Sequence, residues 1–197
     1  MTVGPGSLPA YRIITPRLVV RCWEPTDAPL MKAAIDSSVE HLLPWMPWAS
    51  AEPEELQKKI DLLRHFRGQF DLGVDFVYGI FDRDETAVIG GTGLHTRVGE
   101  GAREIGYWIR LEEIGKGYAT EAARAVLSRA PGLDVVDEPG KNAYPLPLYT
   151  AEQDNCQVGR LRLDCAMDNG LCFWVSGDQL LKGAALNAVQ IAEELLK

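Results

Sequence analysis

Glu104-Ile-Gly-Tyr-Trp-Ile-Arg-Leu-Glu-Glu-Ile-Gly-Lys-Gly-Tyr-Ala-Thr-Glu-Ala122 sets the architecture expected of this chain. The apolar and aromatic run from Glu104 to Arg110 predicts a strand, the glycines at 115 and 117 a turn, and Tyr118 to Arg129 a helix that follows at once. Glycines let several backbone N–H groups point into one concavity, and a helix N-terminus adds partial positive charge. Together these make a cradle suited to a pyrophosphate. The pattern is neither a Walker loop nor the dinucleotide G-x-G-x-x-G. Taken alone it fits a plain strand-to-helix connection equally well.

Upstream, Phe76 to Phe81 and Ala87 to Thr96 read as strands on either side of an Asp82-Arg83-Asp84-Glu85 turn, so residues 76–110 form an antiparallel meander. Residues 52–70 carry the clearest helical period, with Leu56, Ile60, Leu63 and Phe66 or Phe70 on one face and Glu, Lys and Arg on the other. Residues 17–23 read as the first strand. Thr26 reads as a helix cap, with Asp27 in the first turn of a helix reaching Ser37. His41 to Ser50 is irregular and aromatic, since Pro44 and Pro47 forbid a continuous helix. Met1 to Ala10 reads as a short flexible tail without the basic and apolar blocks of a secretory signal.

The character changes at Ala130-Pro131-Gly132. Leu133 to Asp137 predicts a short strand, and Glu138 to Gln153 a loop holding Pro139, Pro145 and Pro147. Gln157 to Asp164 and Leu171 to Ser176 predict a hairpin around Asp168-Asn169-Gly170. In the first of these strands Val158, Arg160 and Arg162 alternate with Gly159, Leu161 and Leu163, a pattern that suits one exposed face. Lys182 to Leu196 predicts a closing helix with Ala185, Val189, Ala192 and Leu196 as its apolar stripe.

Composition narrows the function classes. Of 197 residues 46% are hydrophobic and 24% charged, the usual balance for a globular protein. Twenty Lys and Arg against 28 Asp and Glu leave a net charge of −8, which argues against a phosphate-neutralising nucleic-acid surface. No apolar run reaches the roughly 18 to 20 residues of a membrane helix. Cys22, Cys156, Cys165 and Cys172 form no C-x-x-C pair, and His41, His65 and His95 lie far from them in sequence. No metal and no disulfide framework is expected, only free, mostly buried thiols in a cytoplasmic protein.

The meander, Glu-Ile-Gly-Tyr-Trp-Ile and Gly-Lys-Gly-Tyr-Ala-Thr-Glu-Ala together resemble the GNAT superfamily of N-acetyltransferases, in the branch that acetylates ribosomal-protein N-termini and related amines. Thr15-Pro16-Arg17-Leu18 and Leu43-Pro44-Trp45-Met46-Pro47-Trp48 are similar to the same branch, and the resemblance spans residues 11–129. It implies that Ile114-Gly115-Lys116-Gly117-Tyr118-Ala119, with Thr120 beyond, binds the pyrophosphate of acetyl-CoA. Ile114 stands where Gln or Arg is usual, a departure that should weaken binding without abolishing it. Tyr107, Trp108 and Ile109 would offer their backbone to the pantetheine arm, and Trp45 and Trp48 would line the groove for the acceptor, a small amine or a peptide N-terminus. Glu104 is the expected base, working through water, and a positioned base is worth about 10² to 10⁴-fold in rate. A solvated strand-end carboxylate is the rival account of Glu104. Tyr107 and Tyr118 fit either proton donation to the thiolate or plain packing, and the two tryptophans fit either the groove or the core. His95, His41 and His65 read as satisfied histidines rather than catalysts.

From residue 130 the resemblance changes. Asn142-Ala143-Tyr144-Pro145-Leu146-Pro147, Val158-Gly159-Arg160-Leu161-Arg162 and, above all, Trp174-Val175-Ser176-Gly177-Asp178-Gln179-Leu180-Leu181-Lys182-Gly183-Ala184-Ala185-Leu186-Asn187-Ala188-Val189-Gln190-Ile191-Ala192-Glu193 resemble the C-terminal end of aspartate-semialdehyde dehydrogenase. In that family this stretch contributes NADP contacts near Gln179 to Ala184. The rest of such an enzyme has no counterpart here, so dehydrogenase activity is not expected. The expectation is a chimera with an α/β (α+β) fold: a GNAT-like mixed, largely antiparallel sheet flanked by helices, its last third supplied by a strand, a hairpin and a C-terminal helix, all packed into one domain. Its expected function is acetyl-CoA-dependent N-acetyltransfer, and the alternative is a folded chimera without an enzymatic role. An imperfect sheet edge leaves homo-oligomerisation open.

Overall fold

The computed structural model describes residues 10–97, 104–130, 132–166 and 170–182. The chain falls into two compact units, one within residues 8–125 and the other from residue 126 onward.

The first unit is built on a five-stranded sheet of sequential antiparallel neighbours: β1 (Arg12–Ile14), β2 (Leu18–Cys22), β3 (Phe76–Asp82), β4 (Val88–His95) and β5 (Glu104–Ile109). The meander lies where the apolar patterning places it. β1 is an addition, because three residues are too few to show alternation. It is joined to β2 by a tight Thr15–Arg17 turn, in which the Leu18 N–H donates to Thr15 Oγ1 at 2.9 Å. Between β3 and β4 the register slips, pairing Ile80 with Gly90 but Phe81 with Val88, and this bulge leaves Ile89 without an opposite number. Phe81, Val88, Trp23, Met31, Ile35 and Leu63 then pack into one core under α1 (Ala28–Asp36) and α3 (Leu56–Asp71). Each fully buried Leu or Ile side chain there contributes about 1.5–3 kcal/mol.

Three local expectations are corrected. Thr26 caps nothing: Pro25–Asp27 is a 3₁₀ turn, and Asp27 is the buried acceptor, taking the Glu24 N–H at 2.8 Å and the Arg21 guanidinium at 2.7 and 2.8 Å. The helix expected from 52 begins at Leu56: residues 52–55 are not helical, and Glu55 ahead of it is in extended backbone. Its buried face is Lys59, Leu63 and Phe70, while Leu56 is exposed. Lys59 is buried because Glu52 and Glu54 both accept from its ammonium, the latter at 3.0 Å. In the aromatic segment the chain makes a short helix α2 (Val39–Leu42) and a 3₁₀ turn at Pro47–Ala51. The long helix after the glycine turn is α4 (Tyr118–Leu127).

The second unit holds β6 (Leu133–Val135), parallel to β7 (Cys156–Leu163), which pairs antiparallel with β8 (Leu171–Ser176). These strands pair among themselves in a sheet of their own. Inside the proline-rich loop a short helix α5 (Pro147–Thr150) fixes Thr150 Oγ1 3.0 Å from Ser176 Oγ. The even alternation expected of Val158 to Leu163 is broken by a bulge between Gly159 and Arg162. Val158, Gly159 and Leu161 are buried while Arg160 and its two-residue neighbour Arg162 are exposed, and Arg160 has φ +53°. A Cβ on Gly159 would lie 1.9 Å from the Val136 carbonyl oxygen, so only glycine fits there. The closing helix expected over Lys182 to Leu196 lies, apart from Lys182, outside the described residues, as do Asp168 and Asn169 of the expected turn. The cysteines are all free thiols, but less shielded than expected: Cys22 is buried, Cys156 and Cys172 half-buried, and Cys165 exposed.

Candidate functional site

β5 ends at Ile109, and the chain then turns through a 3₁₀ turn at Leu111–Glu113 into the glycine loop. Ser38 Oγ accepts the Leu111 N–H at 2.9 Å and so fixes the start of this connection. Gly115 and Gly117 both adopt positive φ, +74° and +78°, where a side chain would be strained. Open space surrounds the Cβ position of Gly115, and Ile114, Gly115 and Lys116 are exposed. α4 starts at Tyr118, so the first N–H groups of a ten-residue helix open beside the loop.

The loop is held from the β1–β2 turn. The Arg17 guanidinium donates to the Lys116 carbonyl at 2.9 Å and to Glu121 Oε2 at 2.6 Å, and lies 4.5 Å above the Tyr118 ring. Glu121 Oε1 accepts from Thr15 Oγ1 at 2.6 Å and from the Arg17 N–H at 3.0 Å. Burial pushes the Glu121 carboxyl up, but the hydrogen bonds from Thr15, the Arg17 backbone and its guanidinium outweigh it and hold the group below the usual range. Thr15 and Arg17 therefore brace both ends of the glycine loop. The Thr15-Pro16-Arg17-Leu18 stretch was the only sequence signal for this, and it carried no role there.

Of the other expected residues, Ile109 and Ala119 are buried, and Tyr107, Trp108, Tyr118 and Thr120 are half-buried. β5 is the last strand of its sheet among the described residues, which leaves one backbone edge outside the ladder. Trp45 and Trp48 are both exposed, and Trp48 stands edge-on to Trp108 at 6.0 Å. Trp108 also packs against the core cluster. Glu104 opens β5, exposed, with Arg97 at 3.3 Å. It stands at the opposite end of the strand from Ile109, about 16 Å away at about 3.3 Å per residue. The glycine loop follows on β5 through the Leu111–Glu113 turn, and the Trp48–Trp108 pair joins the aromatic segment to the same strand. Among the described residues no cluster of His, Cys, Asp and Glu could hold a metal ion, and no helix is long and apolar enough to cross a membrane.

The family model for the acetyltransferase (GNAT) domain matches residues 17–170, a span that contains β5, the glycine loop and α4. The chain belongs to the GNAT family. This GNAT chain shares its fold with a protein assigned as a ribosomal-protein-serine acetyltransferase in Vibrio cholerae, with TM-score 0.53, 17% identity, and 81% and 78% of the two chains covered. It also shares it with a ribosomal L7/L12 alpha-N-protein acetyltransferase solved in complex with coenzyme A, with TM-score 0.52, 13% identity, and 83% and 94% covered. Part of the GNAT chain is similar to a second family. Aspartate-semialdehyde dehydrogenase of Synechocystis sp. is 45% identical over 85 residues, which are 43% of this chain and 25% of that enzyme. The Aquifex aeolicus enzyme is 48% identical over the same length. The chain spans about a quarter of the length of the curated relatives it matches.

Proposed function

We propose that the chain is an acetyl-CoA-dependent N-acetyltransferase acting on a primary amine, either a protein N-terminus or a small amine. The observation that carries this function is the loop with Gly115 and Gly117 both at positive φ, directed into the open N-terminus of α4 and braced by Arg17. Backbone N–H groups there suit a pyrophosphate without needing the side chain that Ile114 lacks. Among the described residues β5 is the last strand of its sheet, and its outer edge suits an amide-bearing arm. Coenzyme A and protein N-termini are what the fold neighbour acting on ribosomal L7/L12 handles; transferred to this chain they give the cosubstrate and one class of acceptor. The acceptor amine then attacks the thioester carbonyl carbon, a C–N bond forms, and the thiolate leaves. Glu104 provides the negative charge that draws in an ammonium, and a base on the same face of the sheet removes the proton. The Tyr118 ring serves as the platform for Arg17.

Calorimetric titration with acetyl-CoA, run in parallel with NADP, tests this. Saturable binding of acetyl-CoA alone is expected. Gly117→Ala should weaken that binding about tenfold, because a Cβ at φ +78° costs roughly 1–2 kcal/mol and the loop must reshape to relieve it. A protein that melts cooperatively yet binds neither ligand points to the second account, a folded chimera without an enzymatic role. The partial-length match to the dehydrogenases is what favours that account.

A further inference from the structure

His95 closes β4 and Glu104 opens β5, and the ladder sets the two directly opposite one another. Their side chains leave the same face of the sheet, with Cβ atoms about 4.5–5.5 Å apart. The next rows on that face pair Gly93 with Gly106 and Gly91 with Trp108. The imidazole leans over the glycine row: its Cε1 and Nε2 lie 2.7 Å from where a Gly93 Cβ would stand, and Nε2 lies 3.3 Å from that of Gly106. Trp108 leans over Gly91 in the same way, its Nε1 2.5 Å from the Cβ position. The imidazole Nε2 and the indole therefore occupy adjacent rows, about 7 Å apart along the strands, with Trp48 edge-on to Trp108.

Behind His95, Nδ1 lies 3.2 Å from Asp75 Oδ2. Asp75 Oδ1 is shut off from solvent, and among the described residues it has no hydrogen-bond partner. A carboxylate bonded to Nδ1 fixes the tautomer with its proton there, which leaves the Nε2 lone pair facing the glycine floor. The His95 side chain is 19% exposed, against 45% for Glu104. Glu104 has Arg97 as its partner, whereas the His95 ring is backed by an acceptor that can stabilise an imidazolium.

We propose that His95 Nε2 takes the proton from the acceptor amine, with Asp75 as its positioning residue and Glu104 as the charge that attracts the ammonium. This deepens the acetyltransferase function and rests on it. The ammonium gives one proton to Nε2, and the freed lone pair attacks the thioester carbon. The C–N bond forms as the C–S bond breaks, the remaining extra amine proton passes to the thiolate through water, and the imidazolium returns its own proton to solvent.

The test is initial-rate kinetics on the full chain, reading thiol release from acetyl-CoA with three probes: tripeptide amides with free N-terminal serine or alanine, and an aliphatic diamine. His95→Gln is expected to lower kcat about 10² to 10⁴-fold while calorimetric acetyl-CoA affinity stays unchanged. His95→Ala should regain part of its rate when free imidazole is added, a readout that a packing role would not move and that stands even where the glutamine variant fails to fold. Asp75→Asn should lower kcat with little change in acceptor KM, and Glu104→Gln should raise acceptor KM with kcat within a few-fold. A His95→Gln enzyme with wild-type kcat, or a large kcat loss confined to Glu104→Gln, overturns the assignment and leaves the acetyltransferase function standing. A wild-type chain that transfers to none of the probes overturns that function, and the assignment falls with it.

Discussion

Arg17 ties more of the site together than any side chain that the sequence marked for chemistry. It bridges the Lys116 carbonyl, Glu121 and the Tyr118 ring at once, and a planar guanidinium does this where a lysine ammonium could not. Arg17→Ala should weaken acetyl-CoA binding about tenfold, roughly 1.4 kcal/mol, and Arg17→Lys should recover only part of it; calorimetry reads both. Glu85 offers a test by pH. It sits at φ +56° in the β3–β4 turn, and both Arg12 and Arg21 donate to it. The Arg12 hydrogen bond leads in pulling its carboxyl down to about 2, with Arg21 adding to it against the opposing effect of burial. A carboxyl lowered on folding stabilises the fold fully above its unfolded range, near pH 4 to 5, and loses that contribution as pH falls toward 2. Glu85→Gln should therefore melt lower than wild type at pH 7, and the gap should close progressively below pH 4. A gap of equal size at pH 2.5 and pH 7 would exclude the ion pairs as its source.

At the scale of elements, legibility followed pattern length. β3, β4, β5 and α4 were readable because their apolar periods or glycine turns run over six residues or more. β1 was not, since Arg12–Ile14 owes its place to pairing with β2 rather than to any pattern of its own. The glycine loop was legible as a cradle, but its brace was not, because Thr15 and Glu121 are 106 positions apart and only the fold brings them together. The contact between His95 and Asp75 was hidden for the same reason, since Asp75 lies 20 positions upstream, ahead of β3. α3 shows the limit of binary patterning. Lys59 falls where a charged residue should face water, yet its side chain is 1% exposed, and so is nearly all of Glu52, at 2%. Removing one partner of such a pair strands the other charge. Lys59→Ala should cost about 3–5 kcal/mol, read as a lower denaturant midpoint at unchanged slope. Lys59→Met with Glu52→Gln should recover much of the loss, since replacing both partners avoids an unpaired buried charge.

At the scale of the whole molecule, two compact units meet in sequence at residues 125 and 126, close to the change of character at Ala130-Pro131-Gly132. The GNAT family model nevertheless extends to residue 170, through β6 and β7, so the second unit's first strands satisfy an acetyltransferase pattern while part of the chain matches the dehydrogenases. Strand order explains how both can hold. A β-strand parallel to its neighbour, followed by a hairpin, asks only for short segments with enough apolar residues to pair, and Leu133–Val135, Cys156–Leu163 and Leu171–Ser176 supply them. Ligand response separates the contributions. Acetyl-CoA held by the glycine loop should stabilise the loop and what braces it by mass action, about 2.7 kcal/mol at a hundredfold excess over Kd. Hydrogen exchange followed by mass spectrometry should then slow in peptides covering Thr15–Cys22 and Ile109–Ala122. Peptides covering Cys156–Leu163 and Leu171–Ser176 should exchange at the same rate with and without the ligand. Equal protection of β7 and β8 would mean that the second unit takes part in cosubstrate binding, and the site would then have to be drawn from both parts of the chain rather than from the glycine loop, β5 and Arg17 alone.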